Sequence, residues 1–245
     1  MNGNEARWRE LGLWPLWVGR NPAAERAETP AHAAQTAHSE PDAPEGVADM
    51  DWPELEQQVR LCTRCPLHET RRQAVLGVGD RTARWLFVGE GPGAEEDLRG
   101  EPFVGAAGRL LDQMLKALGL DRTSNVYIAN VVKCRPPQNR TPTEQECAAC
   151  MPYLQRQVAL IRPSVIVALG KVAAQALLAT DSTLGALRGK SHDFDGIPVV
   201  VTWHPAYLLR TPADKAKSWE DLCRARRLMA SLCTPRDDSG DRAGT

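Results

Sequence analysis

The stretch Val126-Tyr127-Ile128-Ala129-Asn130-Val131-Val132-Lys133-Cys134-Arg135-Pro136-Pro137 decides the fold. Its opening is apolar and β-branched, which predicts a buried strand over residues 126–132. Asn130 stands inside that run, where a side-chain amide is costly unless it has a partner. Cys134 follows, a thiol of the kind that binds soft metals. A stiff basic loop then carries Arg135, Pro136, Pro137 and Arg140, and two further thiols come at Cys147 and Cys150. A buried amide, a metal-type ligand and a phosphate-seeking loop thus lie within a few residues of one another.

Working outward, three more runs read as strands: residues 84–88, 165–169 and 197–202. The first enters Gly89-Glu90-Gly91-Pro92-Gly93, a turn composition typical of strand ends. The second stops at Gly170. The third leads into Trp203-His204-Pro205. Between them, helical periodicity predicts helices near residues 51–61, 107–118, 143–161, 172–178, 206–210 and 218–231. Apolar strands alternating with helices specify an α/β fold with a parallel sheet covered on both faces. The expectation is a three-layer α-β-α sandwich around a four-stranded parallel sheet. In such sheets ligands bind beyond the carboxyl ends of the strands. Glu90, Asn130 and His204 all fall there, so topology alone predicts that they converge.

The chain has 245 residues and a formal charge of −1. That balance hides an asymmetry: residues 50–235 hold 24 Lys+Arg against 20 Asp+Glu, and residues 1–49 hold 4 against 8. A mildly basic body is compatible with a nucleic-acid partner without demonstrating one. No run approaches the length of a membrane span, and no secretion signal is read at the start. A cytoplasmic protein is expected, with cysteines free or metal-bound rather than disulfide-bonded. Residues 1–20 form a Trp-rich arm (Trp8, Trp14, Trp17), which either folds back on the domain or docks a protein partner. Residues 21–49 read as a disordered linker, 50–233 as the domain and 234–245 as a polar tail.

Cys62-x2-Cys65 together with Cys134 and Cys150 would supply the four thiolates of a metal site. Cys147 competes for the fourth place, and spacing alone separates neither these two residues nor zinc from iron–sulfur. Cys223 and Cys233 fit a helical pattern as small apolar residues. Gly89, Gly91 and Ala94 also satisfy a dinucleotide-binding fingerprint. Against it, Pro92 removes an N–H near the phosphate position, and Val132-Lys133-Cys134 stands where the ribose-binding acid belongs.

Taken in order, Gly89-Glu90-Gly91-Pro92-Gly93, Pro102-Phe103-Val104-Gly105, Asn130 through Pro137 with Asn139-Arg140-Thr141-Pro142, and His204-Pro205-Ala206-Tyr207-Leu208-Leu209-Arg210 resemble the family 4, iron–sulfur-containing uracil-DNA glycosylases. The resemblance covers roughly residues 52–232. It implies an enzyme that removes uracil from DNA, single- or double-stranded; with no lysine placed as a Schiff-base nucleophile a monofunctional enzyme is expected, and a monomer. It implies a [4Fe–4S] cluster on Cys62, Cys65, Cys134 and Cys150, picking Cys150 over Cys147. It implies that Asn130 reads the uracil edge, Phe103 stacks on the base, His204 stabilises charge at O2, and backbone at Glu90 and Gly91 lines the pocket. Better-known uracil glycosylases place an Asp where Gly91 stands, so the water-positioning role is open among Glu90, Glu95, Glu96 and Asp97, unless Glu96 instead crowds the base C5 position. Arg135, Arg140 and Arg210 are expected to contact phosphates. Leu208, or its neighbours Tyr207 and Leu209, is expected to wedge into the gap left by the flipped base.

Overall fold

The computed structural model describes residues 46–233. The Trp-rich arm, nearly all of the linker and the polar tail lie outside the described residues. Six strands are present among the described residues: β1 (Val78–Gly79), β2 (Trp85–Gly89), β3 (Val126–Asn130), β4 (Val165–Leu169), β5 (His192–Phe194) and β6 (Ile197–Thr202). They form one sheet in the order β1-β3-β2-β4-β6-β5. The four inner strands are the expected parallel set. The two short edge strands are antiparallel additions.

The described helices are α1 (Trp52–Leu61), α2 (Leu67–Thr70), α3 (Ala94–Arg99), α4 (Ala106–Ala117), α5 (Glu144–Ile161), α6 (Lys171–Leu178), α7 (Leu184–Leu187), α8 (Pro205–Arg210) and α9 (Lys215–Cys233). Every residue of β2, β3 and β4 is buried, as continuous apolar runs require. Strand alternation then sorts the core into two layers. Leu86, Val88 and Ala129 pack with α1, α5 and α6 on one face. Phe87, Ile128 and Val167 pack with α4 and α9 on the other. Fully burying each of the larger side chains among these contributes about 1.5–3 kcal/mol.

Capping explains the crisp helix starts. Asp51 and Glu54 form a capping box at α1, and Thr143 and Glu146 form one at α5. The folded region begins before position 50: Val47–Asp49 makes a 3-10 turn with Val47 buried in the core, so the last residues assigned to the linker belong to the domain.

β3 ends at Asn130, two residues before the expected end. The chains nevertheless continue side by side, because Val131 N–H donates to Gly89 O at 2.9 Å and Val132 N–H to Glu90 O at 3.1 Å. This extension carries the Gly91 turn and the Cys134 loop away from the sheet together. The chain passes from β2 to β3 on one side, then crosses to β4 on the other. Their C-terminal ends therefore mark a topological switch point, the place where α/β sheets open a crevice.

Candidate functional site

At that switch point lies a cleft of about 1040 Å³, including its open mouth. Glu90, Gly91, Glu96, Phe103, Asn130, Arg140, His204 and Arg210 all line it. The convergence predicted from strand ends is therefore observed, with β2, β3 and β6 each delivering one of the polar residues.

Asn130 is 2% exposed, and its side-chain Oδ1 has no hydrogen-bond partner. An unsatisfied buried acceptor costs about 1–3 kcal/mol, so its survival in the wall of a cleft marks a place where a ligand donor belongs. Gly89 makes room for it: the two residues are register partners. A Cβ at Gly89 would strike Asn130 Oδ1 and come within 2.6 Å of the Phe103 ring.

Phe103 has φ of +55°, a rare conformation for a bulky residue. Such backbone persists only when its surroundings over-determine it. Arg122 supplies that restraint, donating to Phe103 O at 2.8 Å, to Glu101 at 2.8 Å and to Asp112 at 2.9 Å. The Phe103 ring lies 5.5 Å from the His204 imidazole, tilted 30°.

His204 is the N-cap of α8, with Pro205 at the first helical position. Its Nδ1 accepts from Ala206 N–H at 3.2 Å, so a neutral ring carries its proton on Nε2 and can donate there. Burial first, then the nearby Arg210 charge, lowers its pKa to about 4, with Glu96 opposing. The ring is thus neutral at pH 7. Gly170, at the end of β4, lies beneath it; a Cβ there would sit 2.9 Å from His204 Cβ.

The two carboxylates differ. Glu90 is half-buried and its carboxyl is raised above the usual range, first by burial, with a Thr141 hydrogen bond opposing. Glu96 is occupied: it accepts from the N–H of Gly93 at 3.1 Å, Val104 at 3.0 Å and Gly105 at 3.1 Å. Those bonds tie the β2 turn to the Phe103 loop and take three of about four lone-pair positions.

One DNA-contact expectation is corrected. Leu208 is 1% exposed and is a core residue, because the phase of α8 turns it inward. Leu209, at 44% exposure, is the apolar side chain presented outward. Arg140 pairs with the buried Glu146, with contacts of 2.6 and 2.8 Å, and lines the cleft with its side chain 43% exposed. Arg135 is held by Asn139 at 2.7 Å. Arg210 has no ion-pair partner among the described residues and lies on the cleft rim.

The thiols gather elsewhere. Cys62, Cys65, Cys134 and Cys150 line one small cavity with Val59, Ala149, Tyr153, Arg64, His68 and Lys133. Cys147 faces a different groove, with Thr141, Glu144 and Met151. Among the described residues no group of three His, Cys, Asp or Glu side chains is arranged to hold a metal ion. Four thiols ringing a cavity without a carboxylate suit a multi-atom thiolate-ligated cluster. The surroundings supply donors for sulfur. Arg71 donates to Cys134 Sγ at 2.8 Å, and Lys133 N–H to Cys150 Sγ at 3.3 Å. The buried Tyr153 hydroxyl makes no hydrogen bond of normal geometry but faces Cys62. Burial pushes the Cys150 thiol up to about 12, so a cation is what would hold it as thiolate.

Sequence reasoning missed Arg122, Arg71, Tyr153 and Lys133. The one visible signal was Lys133, a charge set directly after a strand-like run; it proves to be 1% exposed.

A family model, the uracil DNA glycosylase superfamily, matches residues 76–223. The chain is 44% identical over 181 residues to the type-4 uracil-DNA glycosylase of Pyrobaculum aerophilum, covering 71% of this chain and 92% of that protein. It is 46% identical over 179 residues to the type-4 enzyme of Thermotoga maritima, with 71% and 93% coverage. The type-5 enzyme of Thermus thermophilus is more distant, at 32% over 176 residues, with 59% and 78% coverage. With a matching model over most of the folded region and relatives matched along nearly their whole length, this chain belongs to the uracil-DNA glycosylase superfamily.

Proposed function

We propose that this protein excises uracil from DNA, hydrolysing the N-glycosidic bond of a flipped-out deoxyuridine and leaving an abasic site for base excision repair. The observation that carries this reading is the orphaned Oδ1 of Asn130 in the cleft wall. An Asn amide with its oxygen free accepts from uracil N3–H, while its NH₂ donates to O4. Cytosine presents the reverse pattern and leaves both groups unpaired, at about 1–3 kcal/mol each.

A base within a duplex is out of reach, so the nucleotide rotates out of the stack into the cleft. The ring of Phe103, fixed by Arg122, stacks on the base. The neutral His204 donates from Nε2–H to uracil O2. As the bond breaks, negative charge grows on the departing uracil and this hydrogen bond strengthens, lowering the barrier. Glu90, half-buried and free of backbone donors from the loop, positions the attacking water. Glu96 holds the loop that shapes the cleft. No lysine is assigned as a Schiff-base nucleophile, so the enzyme is monofunctional.

Cys62, Cys65, Cys134 and Cys150 would hold a [4Fe–4S] cluster, which when bound fixes the loop that leaves β3. Free thiols of this kind belong in a reducing compartment such as the cytoplasm. Arg210 and Arg135 contact phosphates and Leu209 fills the gap in the stack. The enzyme works as a monomer, with the Trp-rich arm left to a protein partner.

The test is uracil release from U·G, U·A and single-stranded U oligonucleotides, followed by alkaline cleavage of abasic sites. Release of uracil without strand scission before alkali is expected. Protein that carries its iron but releases no uracil from any of the three would overturn the assignment.

A further inference from the structure

Lys133 lies between the cleft and the thiol cavity. Its Nζ donates to the backbone carbonyl of Asn130 at 2.7 Å and to Gln157 Oε1 at 2.5 Å. Gln157, 0% exposed, is fixed in turn by donating to Leu76 O at 3.0 Å and to Tyr127 Oη at 3.3 Å. The Lys133 backbone is pinned on both sides: its N–H donates to Cys150 Sγ, and its carbonyl accepts from Val75 N–H at 2.8 Å.

Two neutral acceptors hold its Nζ, at the far end of a residue whose backbone is fixed to the cavity wall at Cys150. The atom it holds belongs to the residue whose side chain has the unsatisfied oxygen in the cleft.

We propose that Lys133 is a positioning residue: its backbone is fixed to the cavity wall at Cys150 and its side chain clamps the Asn130 carbonyl, so that the wall of the thiol cavity sets the aim of the uracil-reading amide. The proposal rests on the glycosylase reading above. It gives the cavity a second task beyond fixing a loop, and it identifies the link between the two sites as a single side chain.

The experiment compares Lys133→Met with wild type as iron-loaded protein. Met keeps the length and loses the charge and the donors. Iron content and absorbance near 400 nm report the cluster, calorimetric titration with free uracil reports the pocket, and kcat and KM on U·G DNA report catalysis. The expected result is unchanged iron, an affinity for free uracil weakened about tenfold, kcat lowered by a similar factor and KM for DNA within about twofold. Lys133→Met with full iron and wild-type uracil affinity overturns the proposal. If Lys133→Met loses its iron, Gln157→Met decides. It keeps every thiol and Lys133 but removes one of the two acceptors. A several-fold loss of uracil affinity at full iron supports the clamp, and none overturns it. Wild-type protein that binds iron but neither excises nor binds uracil would defeat the functional assignment itself, an outcome distinct from both.

Discussion

The cleft and the thiol cavity sit on either side of the same few residues yet are built on opposite principles. The cleft is open and leaves polar atoms unspent: Asn130 Oδ1 lacks a partner and the Nε2 end of His204 is left for a ligand. The cavity is closed, and its polar atoms are turned inward toward sulfur, with Arg71 and the Lys133 N–H already donating. The difference separates a site that must exchange its occupant from one that must keep it. Unsatisfied groups cost stability but are repaid whenever a substrate arrives; a resident group needs its full set of donors at all times.

The comparison breaks most sharply at His204. His204→Ala removes the donor proposed to meet the charge developing on uracil and should lower kcat by about 10²–10³. Its iron content should equal that of wild type, because the imidazole is not part of the cavity. Loss of iron together with activity would mean that the two sites are one unit. The pH profile makes the same point without a mutation. With the His204 pKa lowered to about 4, the ring is neutral from pH 5 to 8, and activity should show no step near 6.5. Folding linkage has the matching sign. The unfolded chain takes up that proton near pH 6.5 and the folded one only near 4, so this group erodes stability as pH falls between them. A step in kcat near pH 6.5 that Glu90→Gln leaves in place would show that the imidazole works in its charged form.

Gly89→Ala tests the fit of the cleft without touching a functional group. The added methyl would strike Asn130 Oδ1 and crowd the Phe103 ring, two side chains assigned to the same base. Displacements of that order cost about 10- to 100-fold in rate. Uracil excision should fall accordingly while iron content holds. Unchanged kinetics would mean that the amide and ring tolerate repositioning, and the cleft would lose its claim to precision.

A smaller effect is expected on the rim. Arg210, unlike Arg140, is not spent on a carboxylate. Arg210→Gln should weaken binding to U-containing and undamaged DNA alike, and lower the salt-dependence slope by about one. Because the Arg210 charge also depresses the His204 pKa, the variant should move any acidic limb of the activity profile upward. Binding measured at several salt concentrations checks the first effect, and a pH series on the same protein checks the second.

How much of this was legible beforehand depends on the length scale of the signal. The inner strands and the flanking helices come from apolar periodicity sustained over five or more residues, which sequence displays directly. β1 and β5 do not, having two and three residues without an apolar pattern; they pair only because the neighbouring edges of β3 and β6 are open. The convergence of Glu90, Asn130 and His204 was legible because topology places strand ends together. The Arg122 clamp was not, since it reaches Phe103 from a loop 19 residues on. Leu208 and Leu209 illustrate the limit: a six-residue helix is too short for periodicity to set its phase, and only packing shows which leucine faces inward.

The smallest effect should come from Cys147→Ala. Cys147 and Cys150 lie three residues apart on α5, close enough in sequence that either satisfies a ligand spacing. Their surroundings divide them. Cys150 is buried against Lys133 in the cavity, whereas Cys147 looks into the groove beside Glu144 and Met151, with Glu90 and Glu146 near enough to disfavour a thiolate. What separates them is place: Cys150 lines the cavity with Cys62, Cys65 and Cys134, and Cys147 does not. Cys147→Ala should therefore keep wild-type iron and uracil excision within about twofold, at a stability cost near the about 1 kcal/mol typical of single substitutions. Cys150→Ala should lose the 400 nm absorbance. Were the two variants to behave alike, the helix would be free to turn either thiol toward the metal, and the closed cavity would be less committed to its occupant than its donors indicate.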